Sequence, residues 1–454
     1  MSRARRLPLP PEPVEVEIRQ VDGRGRGVAD TGGRRLRVPG TIAGERVRVR
    51  YRRRTKREDE GELVEVLAPA PERVAPRCPH FHACGGCDRQ HLDPDADLEA
   101  KEAGVLAALA AEGVVPERVD PAIRGPRFGY RRKARLGVRF VPGKGGALVG
   151  FREKFGNRLA ILDSCAVLHP AVGPRVGELR ALVDSLDARE RIPQIEFAAG
   201  DEAAVLVFRH LDPLGAADTS RLRSFAAASG LRVALQPAGP ESVVPLVGGL
   251  DLSYRLDRFG IELGFHPLDF VQVNAEVNAA LVERAVAELR PAGRVLDLFS
   301  GIGNFTLAIA SRGTAAGEER ADPLRVTGIE GDARLVERAR ANARRNRLRN
   351  VDFDALDLAG PGALAARLAR GVDRLLLDPP RSGAEEVLDA LAPPGPERIV
   401  YVSCHPPSLA RDLGRLVHGL GYRLSALALA DMFPHTSHVE SVATLVRGCG
   451  ESSG

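Results

Sequence analysis

Arg294-Val-Leu-Asp-Leu-Phe299-Ser-Gly-Ile-Gly-Asn304 decides the fold. Its apolar run predicts a buried strand. The glycines open into a helical stretch, Phe305–Ser311, and a glycine loop between strand and helix lets a ligand approach backbone amides. Working outward, Val282–Leu289 reads as the end of a preceding helix. Val326-Thr-Gly-Ile-Glu330 reads as the next strand, ending in an acid suited to ribose hydroxyls. Leu375-Leu-Leu-Asp378-Pro-Pro-Arg381-Ser-Gly383 closes a further strand, and Ile399-Val-Tyr-Val402 is another. Strand–helix alternation of this kind predicts a parallel, doubly wound α/β sheet over residues 266–454. The loop lacks the full G-x-G-x-x-G, so a dinucleotide fold is weakly supported.

The strand at 399–402 delivers Cys404 to its carboxyl end, where Pro406 and Pro407 stop the ladder. Open α/β sheets place their chemistry in the crevice at such ends. A thiol there is a candidate nucleophile if a neighbour favours its thiolate; a packed structural cysteine is the plainer reading. The run Asp431-Met-Phe-Pro-His-Thr-Ser-His-Val-Glu440-Ser441 is dense in polar groups beside an apolar strand end. A base and a nucleophile sharing one crevice account for both stretches.

The chain of 454 residues is too long for one core. Apolar content of 44% and charged content of 28% are those of a soluble globular protein. No apolar run is long enough to span a bilayer, and the basic start Met1-Ser-Arg-Ala-Arg-Arg-Leu-Pro8 has no apolar segment behind it, so no membrane association and a cytoplasmic protein are expected; a monomer is expected as well. The net charge of +5 is unevenly spread: residues 19–57 hold fourteen Arg and Lys against Asp22, Asp30 and Glu45, a local balance of 14 − 3 = +11. Polyanion binding is the natural expectation.

Residues 1–72 show four or five short alternating stretches separated by turn residues, which predicts a small β-barrel with Arg46, Arg48, Arg50 and Arg52 on one face. Such a barrel suits an RNA backbone. Residues 73–265 read as an α+β central domain, with a helix over Asp95–Glu112, basic strands at Tyr130–Phe140 and Gly150–Phe155, and phosphate contacts from Arg131, Arg132, Lys133 and Arg135. Cys78-Pro-His-Phe-His-Ala-Cys84-Gly-Gly-Cys87 brings three thiols together, with a fourth in Leu162-Asp-Ser-Cys165. Six cysteines in a chain this long make no disulfide scaffold. Four thiolates suit zinc or an iron–sulfur cluster, and His80, His82 and His91 are further donors for zinc.

These segments carry a resemblance. The basic barrel resembles the TRAM module of RNA-modifying enzymes, and the Gly loop followed by Glu330 resembles the S-adenosylmethionine site of class I methyltransferases. Phe270-Val-Gln272-Val-Asn274, Asp297–Asn304, Asp378-Pro-Pro-Arg381, Ser403-Cys404-His-Pro and Phe433–Glu440 together resemble the TrmA/RumA-type RNA uracil-5-methyltransferases over nearly the whole chain. Arg381 stands where amino-methylating enzymes carry an aromatic residue and RNA cytosine methylases a cysteine. The resemblance implies Cys404 as nucleophile and Glu440 as proton acceptor. It implies Gln272, Phe299, Asn304, Glu330, Asp357 and Asp378 around S-adenosylmethionine, and Phe270 and Asp378 against the substrate base. Cys78, Cys84, Cys87 and Cys165 would hold a [4Fe–4S] cluster. The implied product is 5-methyluridine, in large-subunit (23S) rRNA or in tRNA. An inactive RNA-binding protein of the same fold and an iron–sulfur redox enzyme are the rival classes. Ser300 replaces a common Cys, and His405 a common Asn, of the family pattern.

Overall fold

The computed structural model describes residues 8–314, 323–358, 361–369, 371–393 and 395–448; the basic start read above for targeting lies, as residues 1–7, outside them. The N-terminal strands are β1 (Val14–Glu17), β2 (Gln20–Val21), β3 (Arg26–Asp30), β4 (Arg35–Pro39), β5 (Arg46–Arg54) and β6 (Asp59–Ala68). They form one sheet in the order β1-β5-β6-β4-β3-β2, six strands rather than four or five. The sheet curls into a half-barrel around Ile18, Leu36, Val38, Val47 and Val49, all fully buried. Alternation along β5 turns Arg46, Arg48, Arg50 and Arg52 outward, as expected. The face is less positive than a count of residues 19–57 implies. Arg48 lies 3.0 Å from Glu15 and 2.5 Å from Glu65, and Arg52 pairs with Glu62. Those carboxylates stand on β1 and β6, outside the counted window. Among the described residues no carboxylate is within salt-bridge distance of Arg46 or Arg50.

The middle of the chain contributes α1 (Pro94–Ala111), β7 (Lys133–Val141), β8 (Gly146–Gly150), α2 (Val176–Ser185), β9 (Gln194–Ala199), β10 (Ala204–Arg209), α3 (Ala216–Ser229), β11 (Arg232–Gln236) and β12 (Val244–Val247). The sheet runs β12-β11-β10-β9-β7-β8, with α2 and α3 packed through Leu179, Val183 and Leu222 onto Leu136, Ile195, Phe197 and Leu206. Two expectations are corrected. The second strand is the wholly apolar Gly146–Gly150, not the basic stretch Gly150–Phe155, because Ala147, Leu148 and Val149 are the residues that the core accepts. Residues 151–155 leave the sheet: Gly85 N–H donates to the Arg152 carbonyl (2.8 Å) and Lys154 N–H to that of Ala83 (3.1 Å). Within the row Arg131–Arg135, Arg132 and Lys133 are engaged inside the protein, whereas the Arg135 side chain is 71% exposed. Arg132 is buried, lies over the Tyr254 ring at 4.2 Å, and donates from Nε to the Gln272 carbonyl (2.9 Å). Lys133 reaches the Asp269 carbonyl and Arg135 pairs with Glu196 at 2.6 Å.

After the hairpin β13 (Leu252–Leu256) and β14 (Ile261–Phe265) come α4 (Ala275–Leu289), β15 (Arg294–Leu298), α5 (Asn304–Thr314), β16 (Arg325–Glu330), α6 (Ala333–Arg345), β17 (Val351–Ala355), α7 (Pro361–Leu368), β18 (Arg374–Leu377), α8 (Glu385–Ala390), β19 (Arg398–Ser403), α9 (Pro406–Gly414), β20 (Tyr422–Ala430) and β21 (Glu440–Arg447). The sheet order is β17-β16-β15-β18-β19-β21-β20; the first five strands are parallel and β21 is antiparallel to both neighbours. Alternate residues serve two cores. Val295, Val326, Leu376 and Val400 meet α4, α5 and α6, while Leu296, Leu375, Leu377 and Ile399 meet α8 and α9. Helix α1 joins that second face through Leu98, Val105 and Leu109. The chain after it runs along β20: Glu117, Asp120 and Ile123 donate N–H groups to the carbonyls of Leu424 (2.9 Å), Leu427 (2.8 Å) and Leu429 (2.7 Å). Among the described residues no helix is long and apolar enough to cross a membrane.

Asn342 of α6 is buried and joins three elements. Its side chain accepts from Gly264 N–H (2.8 Å) and donates to the carbonyls of Gly264 (3.1 Å) and Ile302 (3.1 Å). Asn342→Ala strands these backbone groups, and a loss of about 2–4 kcal/mol is expected, read as a lowered thermal midpoint by circular dichroism.

Candidate active site

The sequence-predicted residues of the C-terminal sheet converge on one rim. Phe299 follows β15, Glu330 ends β16, Asp357 lies two residues beyond β17, Asp378 follows β18 and Cys404 follows β19. These are the carboxyl ends of five neighbouring parallel strands. Because β21 runs the other way, it is its first residue, Glu440, that lies on the same rim. The last registered pair of β19 and β21 is Ser403 with Ser441, so Cys404 and Glu440 leave the ladder side by side.

At the β15 end the chain turns through Phe299 (φ 65°), Gly301 (φ 55°) and Gly303 (φ 92°) into α5. A side chain on Gly301 would meet nothing within 4 Å, so the loop faces open space. Glu330 braces the loop, accepting from Gly301 N–H (3.1 Å) and Asp332 N–H (3.0 Å). Asn304 exchanges hydrogen bonds with Asn278 (2.9 and 3.1 Å) and accepts from the Tyr254 hydroxyl (2.9 Å). Ahead of α4, Gln272 is buried while Phe270 is 69% exposed, an unusual position for a phenyl ring. Arg132 holds this segment through the carbonyls of Gln272 and Val273. Asp357 is exposed. Asp297, fully buried on β15, accepts from the Thr306 hydroxyl (2.5 Å), and burial pushes its carboxyl up to about 8.

Cys404 is half-buried. Burial raises its pKa, and the charges of Glu440 and Asp378 raise it further; a hydrogen bond and the positive charge of Arg381 act in the opposite sense. Glu440 is 3% exposed, and burial lifts its carboxyl well above the usual range, with the charge of Asp378 adding to it. Asp378 is raised by burial as well. Two buried acids with raised pKa values and a cation beside the thiol form one cluster. Arg381 was noted in the sequence only for what it replaces. Its guanidinium also meets the ring of His438 at 3.2 Å. Burial and the charge of Arg381 lower the His438 pKa, which leaves a neutral ring able to accept from the guanidinium. A cation directly after Asp-Pro-Pro was the available signal for this role.

Local chemistry explains the loops. Gly383 (φ 90°) lies against Asp412, and a Cβ there would come within 2.4 Å of the carboxylate. The same carboxylate accepts from Ala384 N–H (2.7 Å) and the Tyr401 hydroxyl (2.6 Å), tying the Arg381 loop to α9 and β19. His405 caps α9, its Nδ1 accepting from Ser408 N–H (3.4 Å), a service an Asn performs equally well.

Cys78, Cys84, Cys87 and Cys165 border one cavity of about 280 Å³, together with Thr436 and His438. Burial pushes the Cys87 thiol up to about 12, and the charges of Cys165, Cys84 and Cys78 contribute. Four thiolates so placed repel one another unless a cation sits among them. Among the described residues no set of three or more His, Cys, Asp or Glu side chains is arranged to hold a metal ion. Gly85 approaches the Arg152 carbonyl closely, and a Cβ there would lie 3.1 Å from it.

Residues 368–448 match the family model described as tRNA (Uracil-5-)-methyltransferase, and residues 289–360 match a methyltransferase domain. The chain is 51% identical over 453 residues to the 23S rRNA (uracil(1939)-C(5))-methyltransferase RlmD of Alkalilimnicola ehrlichii, covering 98% of this chain and 99% of the relative. It is 48% identical over 446 residues to the RlmD of Nitrosococcus oceani, covering 97% of each. Among solved structures, the Pyrococcus abyssi tRNA (uracil-54, C5)-methyltransferase with S-adenosyl-L-homocysteine superposes with a TM-score of 0.72 at 23% identity, covering 95% of this chain and all of that one, a likeness of fold. With a thiol and a buried carboxylate side by side on a doubly wound rim, and near-full-length identity of about half, the chain belongs to the TrmA/RumA-type RlmD family of S-adenosylmethionine-dependent uracil-C5 RNA methyltransferases.

Proposed function

We propose that this protein forms 5-methyluridine in 23S rRNA, at the uracil for which its relatives are named, using S-adenosylmethionine. The observation that carries the reading is the juxtaposition of Cys404 and Glu440 just beyond the Ser403–Ser441 pair that ends the β19–β21 ladder. Carbon 5 of uracil is a poor nucleophile. Addition of the Cys404 thiolate to carbon 6 forms a carbon–sulfur bond and moves an electron pair toward carbon 5, with charge shared by the ring oxygen. Arg381 favours the thiolate that starts this step. S-adenosylmethionine, when bound, supplies an electrophilic methyl group for carbon 5. Gln272, Phe299, Asn304, Glu330, Asp357 and Asp378 would hold it; the open face of Gly301 beside Glu330 supports that assignment. Glu440 then takes the carbon-5 proton, and its electron pair expels the Cys404 thiolate, restoring the aromatic ring system. Burial suits Glu440 to this step, since a raised pKa makes a carboxylate a stronger base.

Asp378 would accept from the polar edge of the uracil, and the exposed Phe270 would stack on it. A uridine in structured RNA must be extruded to reach this rim. The half-barrel within residues 1–72 and the central region within 73–265 would grip the flanking strand. Cys78, Cys84, Cys87 and Cys165 would hold a [4Fe–4S] cluster that ties the loop at 78–87 to residue 165; the four thiols on one cavity support this. A cytoplasmic location follows from an rRNA substrate. The rRNA reading is preferred to tRNA because near-full-length identity reaches 51% with an rRNA enzyme and 23% with the tRNA enzyme.

With unmethylated 23S rRNA and labelled cofactor, wild-type protein should incorporate methyl groups at one uridine by mass-spectrometric mapping; no incorporation would sink the assignment. Cys404→Ala should give neither product nor covalent adduct. Glu440→Gln should accumulate a protein–RNA adduct visible on denaturing gels, because addition proceeds and elimination does not. Arg381→Met removes the cation beside the thiol. The Cys404 pKa then rises, and its alkylation at neutral pH should slow by about tenfold for each unit of rise. An unchanged alkylation rate would remove Arg381 from the mechanism. Cys165→Ser should lower iron content and visible absorbance in protein purified without oxygen.

A further inference from the structure

Four buried charged side chains and a half-buried fifth, Arg127, gather away from the reacting groups. Lys101 of α1 lies 3.0 Å from Asp431 and 3.3 Å from Asp97. Arg89 reaches Asp97 at 2.5 Å, and Arg127 spans Asp97 (3.4 Å) and Asp431 (3.6 Å). Lys101, Asp97, Asp431 and Arg89 are all less than 10% exposed. An apolar cluster of the same volume is often as stable as buried ions, so such a group is better explained by the alignment it enforces. What it aligns is the loop between β20 and β21. Asp431 opens that loop. The N–H groups of Asp88 and Arg89 both donate to the His435 carbonyl at 3.0 Å, and the Tyr130 hydroxyl donates to the Pro434 carbonyl (3.3 Å). His435 sits at φ 66°, a conformation that a residue with a side chain adopts only when its surroundings compel it. Three residues on, His438 N–H donates to the Thr436 hydroxyl (3.3 Å) and its ring receives Arg381.

We infer that the Arg89–Asp97–Lys101–Asp431–Arg127 group consists of positioning residues, which hold residues 431–439 so that His438 braces Arg381 against Cys404. The inference rests on the proposed role of Cys404 and extends it to residues that touch neither base nor cofactor. It connects four separate parts of the chain: the segment after Cys87, the buried side of α1, the segment between α1 and β7 that carries Arg127, and the loop leading to Glu440. The charged and titratable groups facing Cys404 are Asp378 and Arg381 after β18 and Glu440 of β21, with His438 behind Arg381. Of these, Arg381 alone favours the thiolate, so losing its brace shifts thiol reactivity in one direction.

The test uses full-length protein carrying Lys101→Met, Lys101→Arg or His438→Gln. Alkylation of Cys404 by iodoacetamide is followed against pH by peptide mass spectrometry, beside kcat and KM for RNA and cofactor. Lys101→Met should move the alkylation midpoint upward by as much as His438→Gln does and lower kcat several-fold with both KM values unchanged. Lys101→Arg should restore the midpoint, and combining Lys101→Met with His438→Gln should add no further shift. A folded Lys101→Met protein with the wild-type midpoint overturns the inference, as does one that melts earlier but titrates normally, since the group then only stabilises. If Lys101→Met yields only aggregate, the isosteric Asp431→Asn carries the same expectations. Because alkylation needs no RNA, a failed methylation assay with wild-type protein would refute the functional reading while leaving this result interpretable.

Discussion

The register of β19 against β21 is the constraint on which the rest depends. A parallel strand in the place of β21 would bring its last residue to the rim and leave Glu440 at the opposite end of the sheet. Reversal of that one strand puts a carboxylate beside the thiol that β19 delivers. The cost is a buried acid next to a second acid, Asp378, and the structure meets it by letting both hold protons more readily. A carboxylate in that condition is a poorer ion and a stronger base than one in water.

The rim loops after β15 and β18 are each held by side chains from neighbouring elements. Asp412 reaches from α9 to the loop carrying Arg381, Glu330 holds the glycine turn after β15, and Asn342 ties that turn to β14. None of these contacts is local in sequence. They are buried or half-buried hydrogen bonds to backbone groups, which would otherwise be left without partners.

The doubly wound sheet was legible because its strands are buried on both faces and read as short apolar runs, and its rim residues followed from where those runs stop. Cys404, Glu440 and Asp378 could be placed on the rim in this way with the help of the motifs around them. Arg381 and His438 were visible as residues but not as a pair, since 57 positions separate them and only folding brings them together. The strand misplaced at 150–155 shows the limit of alternation as a signal: Phe151 and Phe155 look like strand residues, yet hydrogen bonds to the cysteine loop decide their path. The arginines of β5 were counted correctly and their charge overstated, because their partners lie on strands that pair with β5 only in three dimensions. The place of α1 and residues 117–123 on the C-terminal sheet is likewise a long-range fact with no local trace.

That last arrangement bears on synthesis. Residues 117–123 emerge from the ribosome roughly 300 positions before β20, against which they lie. Until the end of the chain appears, their amides and the apolar side of α1 have no mate, so this part of the protein waits while later segments collapse. The final sheet closes by gathering a piece made early and a piece made last, a slow, non-local step. Nascent chains stalled before α9 would expose Leu98, Val105 and Leu109, the kind of surface that chaperones bind.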